Sequence, residues 1–162
     1  MVFGRLTLLR SHLFKKNMRS FTLIELIIIS VVIGILAAFA MPAYFNAKQR
    51  ALDREAQANL NLISAAEKVQ RLQSGIYISY NNLRAINTGL DLSIPVPSIQ
   101  PWEYKVVAVP AAGANPARFT AAARRSSDHA RIWCITNTSD EPYDENGITA
   151  SGGNGGVNCT WP

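Results

Sequence analysis

The sequence is poor in charge, in cysteine and in histidine. Only 17% of its 162 residues are Asp, Glu, Lys or Arg, while 48% are hydrophobic. A chain this apolar lies outside the composition of intrinsic disorder. Its length suits one domain of ordinary size. The two cysteines, Cys134 and Cys159, form no C-x-x-C pair, which argues against a zinc or dithiol redox motif. The two histidines, His12 and His129, stand far apart, and no serine has a nucleophile setting, so an enzyme is the least expected class. No residue pattern requires a cofactor. Long apolar runs are scarce too: a single stretch could span a bilayer, which excludes a polytopic transporter.

Acid is absent from residues 1–20, which hold Arg5, Arg10, Lys15, Lys16 and Arg19. The whole chain has 16 basic against 11 acidic side chains, a formal charge of +5, yet beyond residue 20 the signs balance at 11 each. The excess therefore marks a short flank and not a nucleic-acid-binding surface, and no direct nucleic-acid site is expected. A basic flank ahead of an apolar run is a targeting device held on the cytoplasmic side.

The apolar run extends from Phe21 to Phe45, and its last 20 residues, Leu26 to Phe45, carry no charge. As a helix those residues would reach about 30 Å, one hydrocarbon thickness. Gly34 and Pro42 would weaken a helix in water. In lipid they are tolerated, because neighbouring helices satisfy the freed backbone groups. Ser30, Gly34 and Ala38 fall four apart, a small-residue stripe that lets helix backbones approach closely. Glu25 is the exception in the run. An acid there costs up to about 3 kcal/mol, and with no Lys or Arg in the run its partner must come from another molecule or a new chain end. The alternative is a Glu25 solvated at headgroup level.

Lys15-Lys16-Asn17-Met18-Arg19-Ser20 followed by Phe21-Thr22-Leu23-Ile24-Glu25-Leu26 resembles the processing site of type IV prepilins, and Gly34 and Pro42 match helix-weakening positions of that family. The resemblance covers residues 15–75 in motif and the remainder in architecture. It implies that a prepilin peptidase cuts between Ser20 and Phe21 and methylates the Phe21 amine. Ser20 stands where the family nearly always has Gly, though a small residue still suits a tight cleavage pocket. Glu25 would then neutralise the amine of a neighbouring subunit. A lone buried carboxylate is costly and a paired one tolerable, so this role supplies the missing partner. The implied protein is a subunit stored in inner-membrane lipid with its N-terminus cytoplasmic. It is then polymerised through its helix into an extracellular homo-oligomeric filament, by way of an assembly platform and minor pilins. A pseudopilin of type II secretion is the variant within this class. From another class, Ala38-Phe39-Ala40 has the A-x-A form of a signal-peptidase site, whose use would release a soluble periplasmic binding module beginning at Met41.

The expected fold is α+β: a long N-terminal helix against a small antiparallel sheet, with a disulfide-bounded C-terminal loop. The expected divisions are a removed leader 1–20, a transmembrane half-helix 21–45 and a globular domain 46–162. Within that domain the sequence predicts helix 46–73, a connecting loop 74–101, a sheet 102–137 and a C-terminal loop 138–162. Strong helix formers fill the stretch from Ala43 to Gln73. Leu52, Ala56, Asn59, Ile63 and Ala66 give it one apolar face, with Arg50, Asp53, Arg54, Glu55, Lys68 and Arg71 elsewhere. Residues 21–73 could form one helix of about 80 Å, stopped at Ser74-Gly75. The turn-rich segment 76–101 leaves room for one helical turn near Leu83 and is exposed on the fibre in pilins. Strands are expected at 102–109, 117–125 and 131–136, joined by a loose 110–116 connection.

An exported chain meets oxidising surroundings, so Cys134 and Cys159 are expected to pair, closing about 25 residues for roughly 3 kcal/mol. By resemblance this bounds the C-terminal pilin loop. Asp140, Glu141, Asp144, Glu145 and Asn146 crowd one turn, and related pseudopilins bind Ca²⁺ in such a loop. EF-hand spacing is missing and Pro142 intervenes, which favours a solvated acidic turn, and no metal ligand is assigned.

Overall fold

In the computed structural model, residues 21–113, 115–127, 129–149, 152 and 159–162 are described. The leader 1–20, and with it Ser20, lies outside the described residues. The chain divides into two compact units at the Tyr44–Phe45 bond.

Helix α1 (Leu23–Ser74, 52 residues) begins in the first unit and continues into the second. Its start is set by Thr22, whose hydroxyl accepts from the Glu25 N–H at 3.3 Å while its carbonyl accepts from the Leu26 N–H at 3.2 Å. A side-chain oxygen at this position satisfies a backbone donor that the helix cannot. Its end is set by Gly75. There φ is 80°, and the Gly75 N–H closes on the Arg71 carbonyl at 2.8 Å. Glycine adopts that left-handed cap without the Cβ clash other residues meet.

The second unit holds a four-stranded antiparallel sheet in the order β1 (Trp102–Val109), β2 (Arg118–Arg125), β3 (Ile132–Thr136) and β4 (Tyr143–Asp144). The first three lie within one residue of where the sequence places them. β4 lies in the segment expected to be loop, and its two residues pair with Cys134 and Trp133. The 110–116 connection is tighter than expected: Ala112 and Asn115 exchange backbone hydrogen bonds at 3.1 and 3.0 Å.

Strand period decides which side chains meet the helix. Trp102, Tyr104, Val106, Phe119, Ala121, Ala123, Trp133 and Ile135 form one buried cluster with Ala56, Leu60 and Ile63 of α1. Ala122, Cys134, Tyr143 and Cys159 form a second, smaller cluster on the opposite face. Ala121, Ala122 and Ala123 are all fully buried, which explains the alanine run. β2 is central and covered on both faces, and short side chains let both layers approach.

Two expectations need correction. The buried face of α1 is Asp53, Ala56, Leu60, Ile63, Ser64 and Glu67, so Asn59 and Ala66 are only its margin and two acids belong to it. Segment 76–101 is not simply an exposed linker either. Tyr80, Leu83, Ile86, Leu90 and Ile94 are buried in the main cluster, and Tyr80 bridges to Val106 beside β1. Within it α2 (Leu83–Gly89) is capped by Asn82, whose side chain accepts from the Ala85 N–H at 2.8 Å. Tyr80 lies against Gly89 so closely that any Cβ there would collide with its ring.

The disulfide joins Cys134 to Cys159, with Cα atoms 5.6 Å apart, and holds the last residues on the outer sheet face. There the Arg124 guanidinium stacks 4.3 Å above the Trp161 ring, and Lys105 donates to the Pro162 carbonyl at 2.7 Å.

Candidate functional site

Of the residues singled out at the N-terminus, Glu25, Ser30, Gly34, Ala38 and Pro42 lie along α1 in the first unit, Phe21 precedes it, and Ser20 lies outside the described residues. All residues from Phe21 to Arg50 are exposed in the single chain. Phe21 is 73% exposed and Phe39 79%. Within this stretch an 18-residue window is apolar enough to cross a membrane, and none of it is buried. A continuous apolar surface this long is unstable in water and marks a site that lipid or other helices cover.

Each assembly candidate has a definite local setting. Glu25 sits in the first turn of α1, where the helix macrodipole favours a negative charge. Its carboxylate makes no ion pair among the described residues. Thr22 and Glu25 have the spacing of a capping box, of which the threonine half is formed. That T-x-x-E signal was present in the sequence and accounts for where the helix starts. Ser30 turns its hydroxyl onto the Ile27 carbonyl at 2.8 Å, leaving no bare polar group. At Gly34 nothing lies within 4 Å of where a Cβ would be, so its smallness serves no contact among the described residues. Pro42 lies inside α1, where it withholds one N–H from the helix ladder. Ala38 completes the four-residue spacing. Among the described residues, nothing covers these positions.

The charged groups of the second unit are structural in their contacts. Asp53 is buried and bridges two cations, Arg125 at 3.4 Å and Arg131 at 3.0 Å. Arg125 also stacks 5.0 Å from the Trp102 ring and hydrogen-bonds Gln49. The sequence places Asp53 off the apolar face of the helix; its burial follows from a buried arginine that needs a counter-charge.

Glu67 is fully buried, and burial pushes its carboxyl up to about 7, opposed by a backbone hydrogen bond from Ile78. Burial and then the Glu67 charge raise Tyr80, while burial raises Tyr104 to about 12. Tyr104 accepts a 2.9 Å hydrogen bond from Asn59. The Arg124 hydrogen bond draws the half-exposed Glu103 carboxyl down.

The acidic turn is a hairpin built on Asp144. Its carboxylate accepts from the Asn146 and Ile148 N–H groups at 3.0 and 2.8 Å. Gly147 closes the turn with φ 76°. Asp144 is thus occupied by its own backbone. Among the described residues, no group of three His, Cys, Asp or Glu side chains could hold a metal ion.

Comparison with known proteins bears on the N-terminal unit. Residues 15–41 match the family described as the prokaryotic N-terminal methylation motif. Over 60 residues the chain is 42% identical to the type IV major pilin protein PilA of Myxococcus xanthus strain DK1622, a stretch that is 37% of this chain. The match spans only 27% of the relative's own length. No solved structure matches the chain. The N-terminal region therefore carries the prokaryotic N-terminal methylation motif. Together with the apolar helix behind it, the motif fits a protein anchored in the inner membrane that becomes part of an extracellular pilus.

Proposed function

We propose that this chain, bearing the N-terminal methylation segment of type IV pilins, is a structural subunit of a type IV pilus. One observation carries the reading most directly: a helix of almost unbroken apolar character, exposed from Phe21 to Phe45, opens on the methylation motif. In the membrane-stored subunit, lipid covers that surface. In the filament, the helices of sister subunits cover it, and Ser30, Gly34 and Ala38 allow the close approach.

Prepilin peptidase would cut between Ser20 and Phe21 and methylate the new amine. The processed end then carries a cation at Phe21, four residues before Glu25, whose carboxylate makes no ion pair among the described residues. Pairing the Phe21 amine with Glu25 of a neighbour removes two costly charges together and favours one register of addition. Within the monomer, Glu25 is held by the helix N-terminus. In the filament it acquires a partner.

The test is Glu25→Ala. Removing an acid eases membrane insertion, so the membrane-bound pool should be unchanged. An unpaired amine left among apolar helices should lower surface-fibre yield by roughly tenfold or more. Normal fibre yield from this variant would sink the mechanism.

A further inference from the structure

The uncharged run ends at Phe45, but the helix continues. Within the second unit α1 carries Lys48, Arg50 and Arg54. At the helical rise they lie about 5, 8 and 14 Å beyond Phe45 along the axis. The polar headgroup layer outside a bilayer's hydrocarbon core is roughly 5–8 Å deep. Lys48 and Arg50 therefore fall at headgroup depth when the run spans the core. Arg54 lies one turn further and leans back, because each Cα–Cβ bond of a helix tilts towards its N-terminus, here the lipid side. Tyr44 and Phe45, 64% and 54% exposed, stand at the boundary, where aromatic rings collect.

All three cations are exposed, and none makes an ion pair among the described residues. The neighbouring acids do not cancel them. Asp53 is buried and already bonded to Arg125 and Arg131. Glu55 is exposed and lies further from the run than any of the three.

Their placement around the helix narrows what they meet. Arg50 and Arg54, four apart, share one face. Lys48 lies roughly 160° around the axis from Arg50. A partner helix or a single acidic side chain would call for a stripe on one face. Cations on opposite sides at nearly one level suit a plane of negative charge that the helix crosses, which is what an anionic bilayer surface presents.

The leader's five cations orient the precursor, since the Lys and Arg bias decides which side a span faces. Processing between Ser20 and Phe21 removes them. The main cationic flank of the span is then the one at residues 48–54.

We propose that Lys48, Arg50 and Arg54 form a collar that binds the phosphates of anionic lipid headgroups in the non-cytoplasmic leaflet and fixes the depth of the stored subunit. Guanidinium and ammonium groups bind phosphate through charge-assisted hydrogen bonds. The inference rests on the membrane-stored subunit reading and adds a lipid preference to it.

The experiment places the full-length chain in vesicles of equal parts phosphatidylglycerol and phosphatidylcholine. Flotation reports insertion, and native mass spectrometry counts the lipids of each class that the chain retains. A cation near an anionic surface strengthens association about fivefold. The unaltered chain should therefore retain phosphatidylglycerol over phosphatidylcholine by at least that factor, and less so in high salt. Combining Lys48→Gln, Arg50→Gln and Arg54→Gln should bring the ratio close to one. Combining Lys68→Gln and Arg84→Gln, at exposed cations beyond the collar, should leave it unchanged. The unfolding midpoint of the second unit should be the same in both variants, which separates lost lipid binding from a lost fold. Equal retention of the two lipids by an inserted chain would overturn the collar and leave the subunit reading standing. So would a preference that survives the triple variant, and lost fibre yield alongside it would assign these cations to acids of a sister subunit. A chain that does not float with the vesicles would overturn the membrane-stored reading itself.

Discussion

The two units use apolar residues in opposite ways. In the second unit Leu60, Ile63, Trp102, Val106 and Phe119 are buried to within 1% of full burial, against one another and against short alanines. In the first, Leu26, Ile28, Val32, Ile35 and Leu36 are at least half exposed. Hydrophobicity alone does not separate them; what differs is whether the chain supplies the second layer. A sheet packed on the C-terminal half of α1 completes a core. Among the described residues, the N-terminal half of the same helix has no layer packed on it.

The acids show the same contrast. Asp53 finds two arginines inside its own unit, while Glu25, among the described residues, has only the helix N-terminus. The largest expected effect comes from breaking the self-sufficient side. Asp53→Ala leaves Arg125 buried beside Arg131 without its carboxylate, and should destabilise the second unit by about 3–5 kcal/mol. Tryptophan fluorescence of the detergent-solubilised full chain during urea unfolding would report it.

Next is the dependent side. Leu36→Arg places a charge within the uncharged run, at a cost of roughly 3 kcal/mol for insertion. The variant should leave the membrane fraction while its second unit unfolds at an unchanged midpoint. A parallel fall in that midpoint would show that the units are not separable in stability.

Glu67 gives a pH-dependent effect of smaller or equal size. Its folded value of about 7 stands above the ordinary 4.5, so the native state holds the proton more tightly than the unfolded chain. Stability is full below pH 4.5, falls as pH rises through 7, and then levels off lower by roughly 3 kcal/mol. Glu67→Gln should flatten that decline in unfolding midpoints between pH 4.5 and 8; an unchanged slope would place its origin elsewhere. The smallest effect is expected at Glu103, whose 2.6 Å pair with Arg124 is partly exposed. Glu103→Ala should cost under about 1 kcal/mol, and less in high salt.

The sequence showed most clearly what has a period. Alternation located β1, the residue types of 117–125 and 131–136 located β2 and β3 to within one residue, and Ser74-Gly75 marked the end of α1. β4 escaped because two residues cannot display a period. Asp53 and Glu67 escaped because a charge in a helix is ordinarily solvated; only the fold brings Arg125 or the Ile78 N–H within reach. Segment 76–101 looked like linker because turn residues separate its apolar positions, yet Tyr80, Leu83, Ile86 and Leu90 all reach the core. The N-terminal site was the most legible part, since its signals are local: a basic flank, a small residue, Phe21, Glu25 and an uncharged run. The Thr22 cap was equally local and is visible as T-x-x-E once the helix start is known.

The central claim is that residues 21–44 are exposed because this segment is made to be processed, membrane-stored and then covered by sister helices. The most direct measurement is the intact N-terminal mass of the native protein recovered from membranes and fibres. A chain beginning at N-methylated Phe21 is the predicted result. A chain beginning at Met41 would contradict the account by making residues 21–40 a discarded signal, and a chain retaining Met1 would contradict it by leaving the helix an uncleaved anchor.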